Sequence, residues 1–350
     1  MRSGLRSRPW AGLDVGNFSV KLLALQGGVG GMRHWIAEVP LPPRGADGSR
    51  TPETLAHVIN EAFSLAGLAV RTVRGISLGI SGPDVIVKQI TLPLLDDSEV
   101  GPALRFEARK HLPFDLSAMN LDFQILGRFP SERKLEILLA AVSHDHMQRH
   151  LAPLNLLGLE PDVLDATPLA LANALMYGTE LETGAHLLLD MGEDFSHLVL
   201  YQRGQPFFSR RLDFGGRHLT DAIARGIRVP FSEAEEWKLA AGADEPGLRV
   251  DWDSSEMRAV LEAIRTVLVE ELRRSIAFYR TQGTLPESLR ISISGGSARL
   301  PGLAARMSEL LGSPVSLLNP IQQILGQNSA DASLSGPQFA QAFGLALRNQ

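Results

Sequence analysis

Two short segments of the sequence place an aspartate and a glycine between apolar runs. The first reads Leu13-Asp14-Val15-Gly16-Asn17-Phe18-Ser19-Val20-Lys21, and the second reads Leu189-Asp190-Met191-Gly192-Glu193-Asp194-Phe195-Ser196-His197. Carboxylate oxygens suit Mg²⁺, and a glycine without a Cβ lets the backbone approach a phosphate closely. Asp14 and Asp190 are therefore candidate magnesium ligands, directly or through water, and the two turns are candidate phosphate-binding sites.

Each segment reads as a strand, a tight turn and a second strand, and the two lie about 175 residues apart. A single Asp-x-Gly is commonly only a β-turn. Two copies predict two related lobes that offer acidic turns to one cleft. The residues predicted to contact phosphate, through side chains or backbone N–H groups, are Gly16, Asn17, Ser19, Lys21, Gly192 and Ser196, although strand alternation could turn Lys21 outward.

A third segment ends a strand in a double glycine, at Ser294-Gly295-Gly296-Ser297, and a helix is predicted to begin at Pro301-Gly302. Such a turn can hold the flat ring of an adenosine, and no Gly-Lys-Ser/Thr follows that would make it a P-loop. A fourth element is a helix over 232–241, on which side chains at i and i+3 can reach one ligand. The further candidates for nucleotide binding are thus Gly215, Gly216, Glu235, Lys238, Gly295, Gly296 and Ser297.

Composition narrows the class of protein. A chain of 350 residues predicts two or more domains, and a net charge of −5 lacks the basic excess typical of nucleic-acid binding. The absence of cysteine excludes disulfides, thiolate metal sites and thiol catalysis, and agrees with a reducing compartment. No run approaches the roughly 18–20 apolar residues of a membrane span. We therefore expect a soluble protein that meets a membrane only through a partner.

The order of predicted elements indicates an α/β fold in two lobes. The first lobe is predicted over 8–182, with a strand–helix–strand–strand module inserted at about 82–146. The second is predicted over 183–350, with a helical subdomain at about 215–285 that includes one long helix over 255–281, and a closing helix at 337–347. His146 and His150 are predicted to share an exposed helical face, which disfavours a metal site there.

Several segments resemble the PilM family of type IV pilus assembly proteins, which is related to the division protein FtsA. They are Val85–Pro93, Leu104–Phe114, Asn120–Leu126, Phe214–Ile223, Ser294–Gly302 and Phe343–Leu347. The resemblance extends over roughly 10–348. It implies an actin-like ATPase fold of two ribonuclease-H-like lobes, with a small α+β module inserted in the first.

The resemblance also implies ligands and partners. Such proteins bind ATP with Mg²⁺ in the cleft, lie in the cytoplasm beside the inner membrane, and work with other proteins of the pilus assembly platform. They hold the N-terminal cytoplasmic tail of a PilN-type inner-membrane protein in a groove between the first lobe and the inserted module. By position, Asp14, Gly16 and Ser19 match the first phosphate motif, and Asp190 and Gly192 match the second. Gly295, Gly296 and Ser297 match the adenosine motif, and Glu235 and Lys238 match positions that contact ribose and adenine.

This chain departs from the family at three places. The first turn carries Asn17-Phe18 in place of small hydroxyl residues, and the second carries Glu193, Asp194 and Phe195 where threonine is common. Extra carboxylates are expected to repel a triphosphate, and the aromatic rings to crowd it. Around 162–168 the family often carries an acidic residue suited to positioning water, and this chain has Thr167 near that place. Asp165 remains as the candidate for that role. We therefore expect nucleotide binding with inefficient hydrolysis.

Three alternatives remain open at this point. The altered turns could belong to a scaffold of the same fold that binds no nucleotide. A small-molecule kinase of the same superfamily would need a base near the γ-phosphate, and the sequence offers only Asp165. A secretion component of the GspL type would continue into a membrane helix, whereas the sequence given ends at Gln350.

Overall fold

The computed structural model describes residues 8–28, 31–45, 48–112, 115–177, 184–202, 205–243, 250–281, 289–325 and 336–348. The first half of the chain forms, in order, β1 (Trp10–Val15), β2 (Ser19–Gly28), β3 (Gly31–Pro40), α1 (Pro52–Leu65), β4 (Gly75–Ile80), β5 (Val85–Pro93), α2 (Asp97–Ala108), β6 (Met119–Phe129), β7 (Lys134–Ser143), α3 (His144–Leu156), β8 (Val163–Ala166) and α4 (Thr167–Met176).

The second half continues with β9 (Ala185–Met191), β10 (Ser196–Gln202), β11 (Gln205–Leu212), α5 (Gly216–Ile227), α6 (Phe231–Gly242), α7 (Arg258–Ala263), α8 (Glu270–Thr281), β12 (Leu289–Ser294), α9 (Leu303–Leu311), β13 (Val315–Leu317), α10 (Pro320–Leu325) and α11 (Ala340–Ala346). Short 3₁₀ turns at Gly296–Arg299 and Pro337–Phe339 precede α9 and α11.

Two five-stranded sheets share one topology. The first has the order β3-β2-β1-β4-β8, and the second has the order β11-β10-β9-β12-β13. In both, the first three strands pair antiparallel and the other two pairs are parallel. Each Asp-x-Gly segment is the hairpin between the central strand and its antiparallel neighbour, so the repeat seen in the sequence is a repeat of the fold.

The strands of the first sheet are apolar on both faces because helices cover both faces. Successive side chains of a strand alternate between faces. Leu22 packs with Ile59 and Phe63 of α1 on one side, whereas its neighbour Leu23 packs with Phe343 of α11 on the other. The helix nearest the C-terminus thus returns to cover the sheet formed by the N-terminal strands.

The second sheet supports a helical region made by α5 to α8, whose apolar side chains share one core with it. The single helix predicted over 255–281 begins at Arg258, because residues before it form a turn in which Ser254 Oγ donates to the Asp251 carbonyl at 2.8 Å. A π-helical segment, Ile264–Val269, joins α7 to α8.

The module in the first half is a three-stranded sheet, β5-β7-β6, backed by α2. Helix α2 ends at Ala108. Edge strand β5 lies against edge strand β11, where Ser209 Oγ donates to the Val87 carbonyl at 3.2 Å. Pro113 and Phe114, part of the family resemblance, lie outside the described residues, as does the predicted lobe boundary near residue 182.

The prediction that His146 and His150 share an exposed helical face is wrong. His146 is 8% exposed, and its Nε2 lies 2.8 Å from the Ser81 carbonyl oxygen. Gly82 has a φ of +146°, and a Cβ there would come within 2.5 Å of the His146 ring. The histidine therefore anchors the start of α3 to the end of β4.

Candidate functional site

Two aspartates, one from each sheet, lie at the floor of a cavity between the two lobes. Asp14 and Asp190 are the last residue but one of β1 and of β9, respectively, and both line the cavity. Lys21, the cross-strand neighbour of Asp14, has its Nζ 3.5 Å from Asp14 Oδ2 and is buried. Ser294 Oγ donates to Asp190 Oδ1 at 2.7 Å. Lys21 therefore faces the cavity and does not point outward.

Burial makes the charged forms of these carboxylates costly. Burial raises the pKa of Asp14, although the nearby Lys21 ammonium opposes the rise. Burial also raises the pKa of Asp190 to about 6, with the Ser294 hydroxyl opposing the rise and the Asp14 charge adding to it. A cation bound between these two carboxylates would favour their ionised forms and so oppose the rise in pKa that burial causes.

The two turns have matching backbone geometry. Gly16 N–H donates to the Ser19 carbonyl, and Gly192 N–H donates to the Phe195 carbonyl, each at 3.1 Å. A Cβ on Gly192 would lie 2.8 Å from the Phe195 carbonyl oxygen. The second turn thus needs its glycine to fold back tightly, whereas a Cβ on Gly16 would lie 3.1 Å from the Ser19 carbonyl oxygen and leaves the first turn less constrained.

Helix α5 begins directly against the second turn. Gly216 N–H donates to the Gly192 carbonyl at 2.8 Å, and Arg217 N–H donates to the Glu193 carbonyl at 2.9 Å. A Cβ on Gly215 would lie 2.5 Å from the Glu193 carbonyl oxygen. Ser196, which is fully buried, donates to the Phe214 carbonyl at 2.6 Å. These contacts hold the turn in place from behind.

A buried ion pair stands on α6 beside the double-glycine turn. Lys238 Nζ lies 2.8 Å from Glu235 Oε2 and donates to the Thr220 hydroxyl at 2.8 Å and to the Gly216 carbonyl at 3.1 Å. Glu235 also accepts a hydrogen bond from Thr220. Glu235 Oε1 is buried without a partner in the structure, so one carboxylate oxygen remains able to accept a donor from a ligand.

The double-glycine turn presents bare backbone to the cavity. Gly295 has a φ of +88°, and a Cβ there would come within 2.4 Å of the Met191 carbonyl oxygen, so no other residue fits without strain. A Cβ on Gly296 would meet no atom within 4 Å. Ser297 Oγ donates to the Gly192 carbonyl at 3.0 Å. This turn is therefore tied to the second Asp-x-Gly turn and leaves open space above Gly296.

At the mouth of the cavity the two lobes touch through Asp194. Its Oδ2 accepts a hydrogen bond from Asn17 Nδ2 at 2.5 Å and forms an ion pair with Arg44. Arg217 Nε lies 3.9 Å from the other oxygen, Oδ1. Arg50 Nη1 donates to the Asn17 carbonyl at 3.0 Å. The extra carboxylate of the second turn is thus paired with two arginines, Arg44 of the first lobe and Arg217 of its own lobe.

The structure brings most of the predicted nucleotide residues together around this cavity. Those that line it are Asp14, Gly16, Asn17, Ser19, Lys21, Asp190, Gly192, Glu235, Lys238, Gly295, Gly296 and Ser297. Ser196, Gly215 and Gly216 lie behind the second turn and do not line it. Asp165 does not line it either, because its buried carboxylate faces Arg348 Nε at 3.6 Å.

Sequence reasoning missed several polar residues of the cavity wall. Glu38 of β3 stands opposite Lys21 in the strand register and accepts a hydrogen bond from Ser19 Oγ at 2.7 Å. The others that it missed are Ser81, His197, Arg299, Gln338 and Gln341. The alternation of residues over 31–40 predicts a third strand and could have revealed Glu38. Gln338 and Gln341 reach the cavity only because α11 and the 3₁₀ turn before it fold back onto the first sheet.

The carboxylate arrangement fits a magnesium ion held mainly by a nucleotide. Mg²⁺ usually keeps several waters and takes one or two protein carboxylates plus phosphate oxygens. Asp14 and Asp190 offer two buried carboxylates of this kind. In the part of the chain that the structure describes, no three His, Asp or Glu side chains cluster as a self-contained metal site.

A second groove separates the inserted module from the first lobe. We call it the module groove. Its walls come from β6 and β7 on one side and α4 on the other, with residues near β11 and the C-terminus: Asp122, Phe123, Gln124, Leu138, Ala140, Leu169, Ala172, Asn173, Met176, Gln205, Pro206 and Arg348. Strand β6 is an edge strand, so its outer backbone groups are free to pair with an extended peptide.

No helix in the described ranges combines the length and the hydropathy that crossing a membrane requires.

Comparison with known proteins identifies the fold. A solved structure named as a PilM–PilN type IV pilus biogenesis complex is similar with a TM-score of 0.77 and 30% identity, over 97% of this chain and 97% of that chain. The crystal structure of MreB5 of Spiroplasma citri bound to ADP is similar with a TM-score of 0.50 and 14% identity, over 97% and 95% of the two chains. The predicted actin-like ATPase fold is confirmed.

Sequence comparison gives more distant relatives as well. The cell division protein FtsA of Rhizobium meliloti is 26% identical over 202 residues, which are 53% of this chain and 45% of that protein. The match thus spans less than half of the curated relative. A family described as "Type IV pilus assembly protein PilM" matches residues 12–350, nearly the whole sequence. The chain therefore belongs to the PilM family of type IV pilus assembly proteins.

Proposed function

We propose that this chain is a nucleotide-binding scaffold of the type IV pilus assembly machinery. It takes ATP with Mg²⁺ in the cavity between the lobes and holds the N-terminal tail of a PilN-type inner-membrane protein in the module groove. The observation that carries the proposal is the meeting of both Asp-x-Gly turns and the Gly295-Gly296 turn around one cavity. Membership of the PilM family supports a place on the cytoplasmic side of the membrane, reached through that partner.

Different residues of the cavity would contact different parts of the nucleotide. Backbone N–H groups of the two turns and the Asn17 amide would hold phosphate oxygens, whereas the open backbone at Gly296 would carry the adenosine. Glu235 Oε1, buried and unpartnered, is placed to accept a ribose hydroxyl or adenine amino group. Asp14 and Asp190 would hold the magnesium ion, directly or through water. The ion would supply positive charge for the phosphates.

We expect ATP to bind and to close the two lobes, but to be hydrolysed inefficiently. A catalytic carboxylate must lie within reach of the attacking water. Asp165, the candidate offered by the sequence, lies outside the cavity wall and faces Arg348. Nucleotide binding would then stabilise one arrangement of the two lobes, and that arrangement would alter the module groove.

The module groove suits an extended peptide with apolar side chains. Phe123 on β6 and Met176 on α4 are exposed, at 37% and 44%, on opposite walls. The outer edge of β6 is not paired with another strand of its sheet. A peptide could therefore form main-chain hydrogen bonds with β6 and place alternate side chains in the groove. The name of the PilM–PilN complex, whose PilM is similar to this chain over 97% of its length, supports a PilN-type partner.

Calorimetry tests the nucleotide half of the proposal. ATP and ADP would be titrated with Mg²⁺ into the wild type, Asp190→Ala and, as a matched control, Asp213→Ala. Asp213 is an exposed aspartate of the same lobe, paired with Arg211 outside the cavity. We expect Asp190→Ala to weaken Mg²⁺-nucleotide binding by about tenfold or more, as loss of a charged contact does, and the control to match the wild type. Absence of binding by the wild type would leave the nucleotide-free scaffold as the correct reading.

A peptide titration tests the partner half. A synthetic peptide of the N-terminal tail of the PilN-type protein from the same organism would be titrated into the wild type, Phe123→Ala and Phe106→Ala. Phe106 is 67% exposed on α2 of the same module but outside the groove. Truncating a central aromatic anchor costs about ten- to a hundredfold in affinity, so only Phe123→Ala should weaken binding. Equal weakening by both variants would place the peptide elsewhere.

A further inference from the structure

The carboxylate of Asp194 lines the nucleotide cavity and joins the two lobes. It belongs to the second turn, yet it accepts a hydrogen bond from Asn17 Nδ2 of the first turn at 2.5 Å and pairs with Arg44 after β3. Arg217 at the start of α5 lies 3.9 Å from its other oxygen. One carboxylate thus holds an amide and two guanidinium groups contributed by both lobes.

These donors are the kind that a phosphate group needs. Arginine forks and amide N–H groups recognise carboxylate and phosphate oxygens with similar geometry. Asn17 lies in the turn that the proposed function assigns to phosphate, and both Asn17 and Asp194 line the cavity. A terminal phosphate and Asp194 would therefore compete for the same donors, and they carry charge of the same sign.

The neighbouring carboxylate does not share this position. Glu193 Oε2 lies on the inner side of its turn, 2.9 Å from where a Cβ of Gly216 would stand. The charge that most favours its ionised form is that of Lys238, whereas burial raises its pKa. Glu193 therefore belongs to the inner wall near α6, and Asp194 alone of the two reaches across to the first lobe.

We propose that Asp194 is a specificity determinant of the cavity, acting as an internal stand-in for a terminal phosphate. A nucleotide must displace Asp194 when its terminal phosphate takes the donors that Asp194 holds. The cavity therefore discriminates against the triphosphate relative to the diphosphate. The same contact ties the two lobes together when no triphosphate is bound. This inference rests on the proposed nucleotide-binding function.

Asp194→Asn is the direct test, because the amide keeps the shape and an acceptor oxygen but removes the charge. Adenosine, ADP and ATP, the two nucleotides with Mg²⁺, would be titrated into the wild type, Asp194→Asn and the matched control Asp213→Asn. We expect Asp194→Asn to tighten ATP binding about tenfold, equivalent to about 1.4 kcal/mol. ADP should tighten less and adenosine not at all, and the control should match the wild type throughout.

Arg44→Gln provides a second test, with an effect on ATP affinity that a merely structural role of Asp194 would not produce. In the Asp194→Asn background Arg44 is released for phosphate, so its removal should weaken ATP binding about tenfold, as loss of a charge-assisted contact does. In the wild type Arg44 is already engaged, so the same change should alter ATP binding less than threefold. The difference between backgrounds is a coupling that only competition predicts. Thermal unfolding of each variant checks that it is folded.

The outcomes separate this inference from the function on which it rests. Binding of ADP but not ATP by the wild type, together with binding of both by Asp194→Asn, would support it. If the wild type binds all three ligands and Asp194→Asn leaves their relative affinities unchanged, the inference is overturned and the nucleotide site stands. If neither protein binds adenosine, ADP or ATP, both proposals are overturned.

Discussion

Replacing Asp165 by asparagine should raise the free energy of unfolding at neutral pH. The Asp165 side chain is buried at the end of β8, and burial raises its pKa to about 6, although the Arg348 charge opposes the rise. The ordinary value is 3.8, and one pKa unit is worth about 1.4 kcal/mol, so the ionised carboxylate costs the fold about 3 kcal/mol above pH 7. The asparagine is isosteric and avoids that cost.

The pH dependence follows from the direction of the pKa change. In the folded state Asp165 keeps its proton up to about pH 6, whereas in the unfolded state it loses it near its ordinary pKa of 3.8. Stability from this group is thus fully present below pH 3.8 and is lost as pH rises through 6. The gap between Asp165→Asn and the wild type should be small at pH 4 and should reach about 2–3 kcal/mol at pH 7.5.

Urea unfolding followed by tryptophan fluorescence at pH 4, 5.5, 6.5 and 7.5 measures the gap. Asp213→Asn, whose carboxylate is mostly exposed beside Arg211, is the matched control and should change stability by less than about 0.5 kcal/mol at every pH. A constant gap across the series would refute the reasoning from burial. A variant less stable than the wild type at pH 7.5 would show that the Asp165–Arg348 pair is net stabilising despite its burial.

Three further substitutions test the packing and hydrogen bonding of the fold by the same unfolding measurement. Gly344→Ala should cost about 3 kcal/mol or more, because its Cβ would lie 1.7 Å from the Ala170 carbonyl oxygen where α11 meets α4; a cost below 1 kcal/mol would contradict that contact. Gly312→Ala, at a φ of +67° with open space around it, should cost only about 1 kcal/mol from backbone strain. Trp10→Phe should cost about 1–3 kcal/mol, because its indole N–H donates to the buried Ser77 hydroxyl at 2.7 Å; adding Ser77→Ala should recover part of this, and full additivity would exclude the hydrogen bond.

The parts of the site that the sequence predicts are local. Each Asp-x-Gly hairpin joins strands that are adjacent in the chain, and the apolar–turn–apolar pattern is sufficient to find it. The strand Leu289–Ser294 and the double-glycine turn were predicted at their observed positions. The repeat of the pattern also predicts the repeat of the sheet, because both hairpins occupy the same place in the same strand order.

The parts that the sequence does not predict depend on pairing over long distances. Glu38 reaches the cavity because β3 lies in register beside β2. The extra carboxylate at Asp194 predicts repulsion when read alone, but Arg44, 150 residues away, provides the opposite charge. The sequence predicts that His146 lies on an exposed helical face, yet its ring packs against Gly82. No local pattern specifies these partners.

The nucleotide cavity and the module groove share a wall made of two helices. Gln341 on α11 lines the cavity, and Asn173 on α4 lines the groove and donates from Nδ2 to the Gly344 carbonyl at 3.2 Å. Because Gly344 has no side chain, the two helices approach at backbone distance, and we expect them to move together. A change in cavity closure that shifts α11 would therefore carry α4 with it, while the opposite wall of the groove, β6, belongs to the module, whose main core is its own and which meets α4 through a small cluster that includes Leu126 and Leu169. The proposed coupling between nucleotide and partner would thus appear as a change in groove width between α4 and β6.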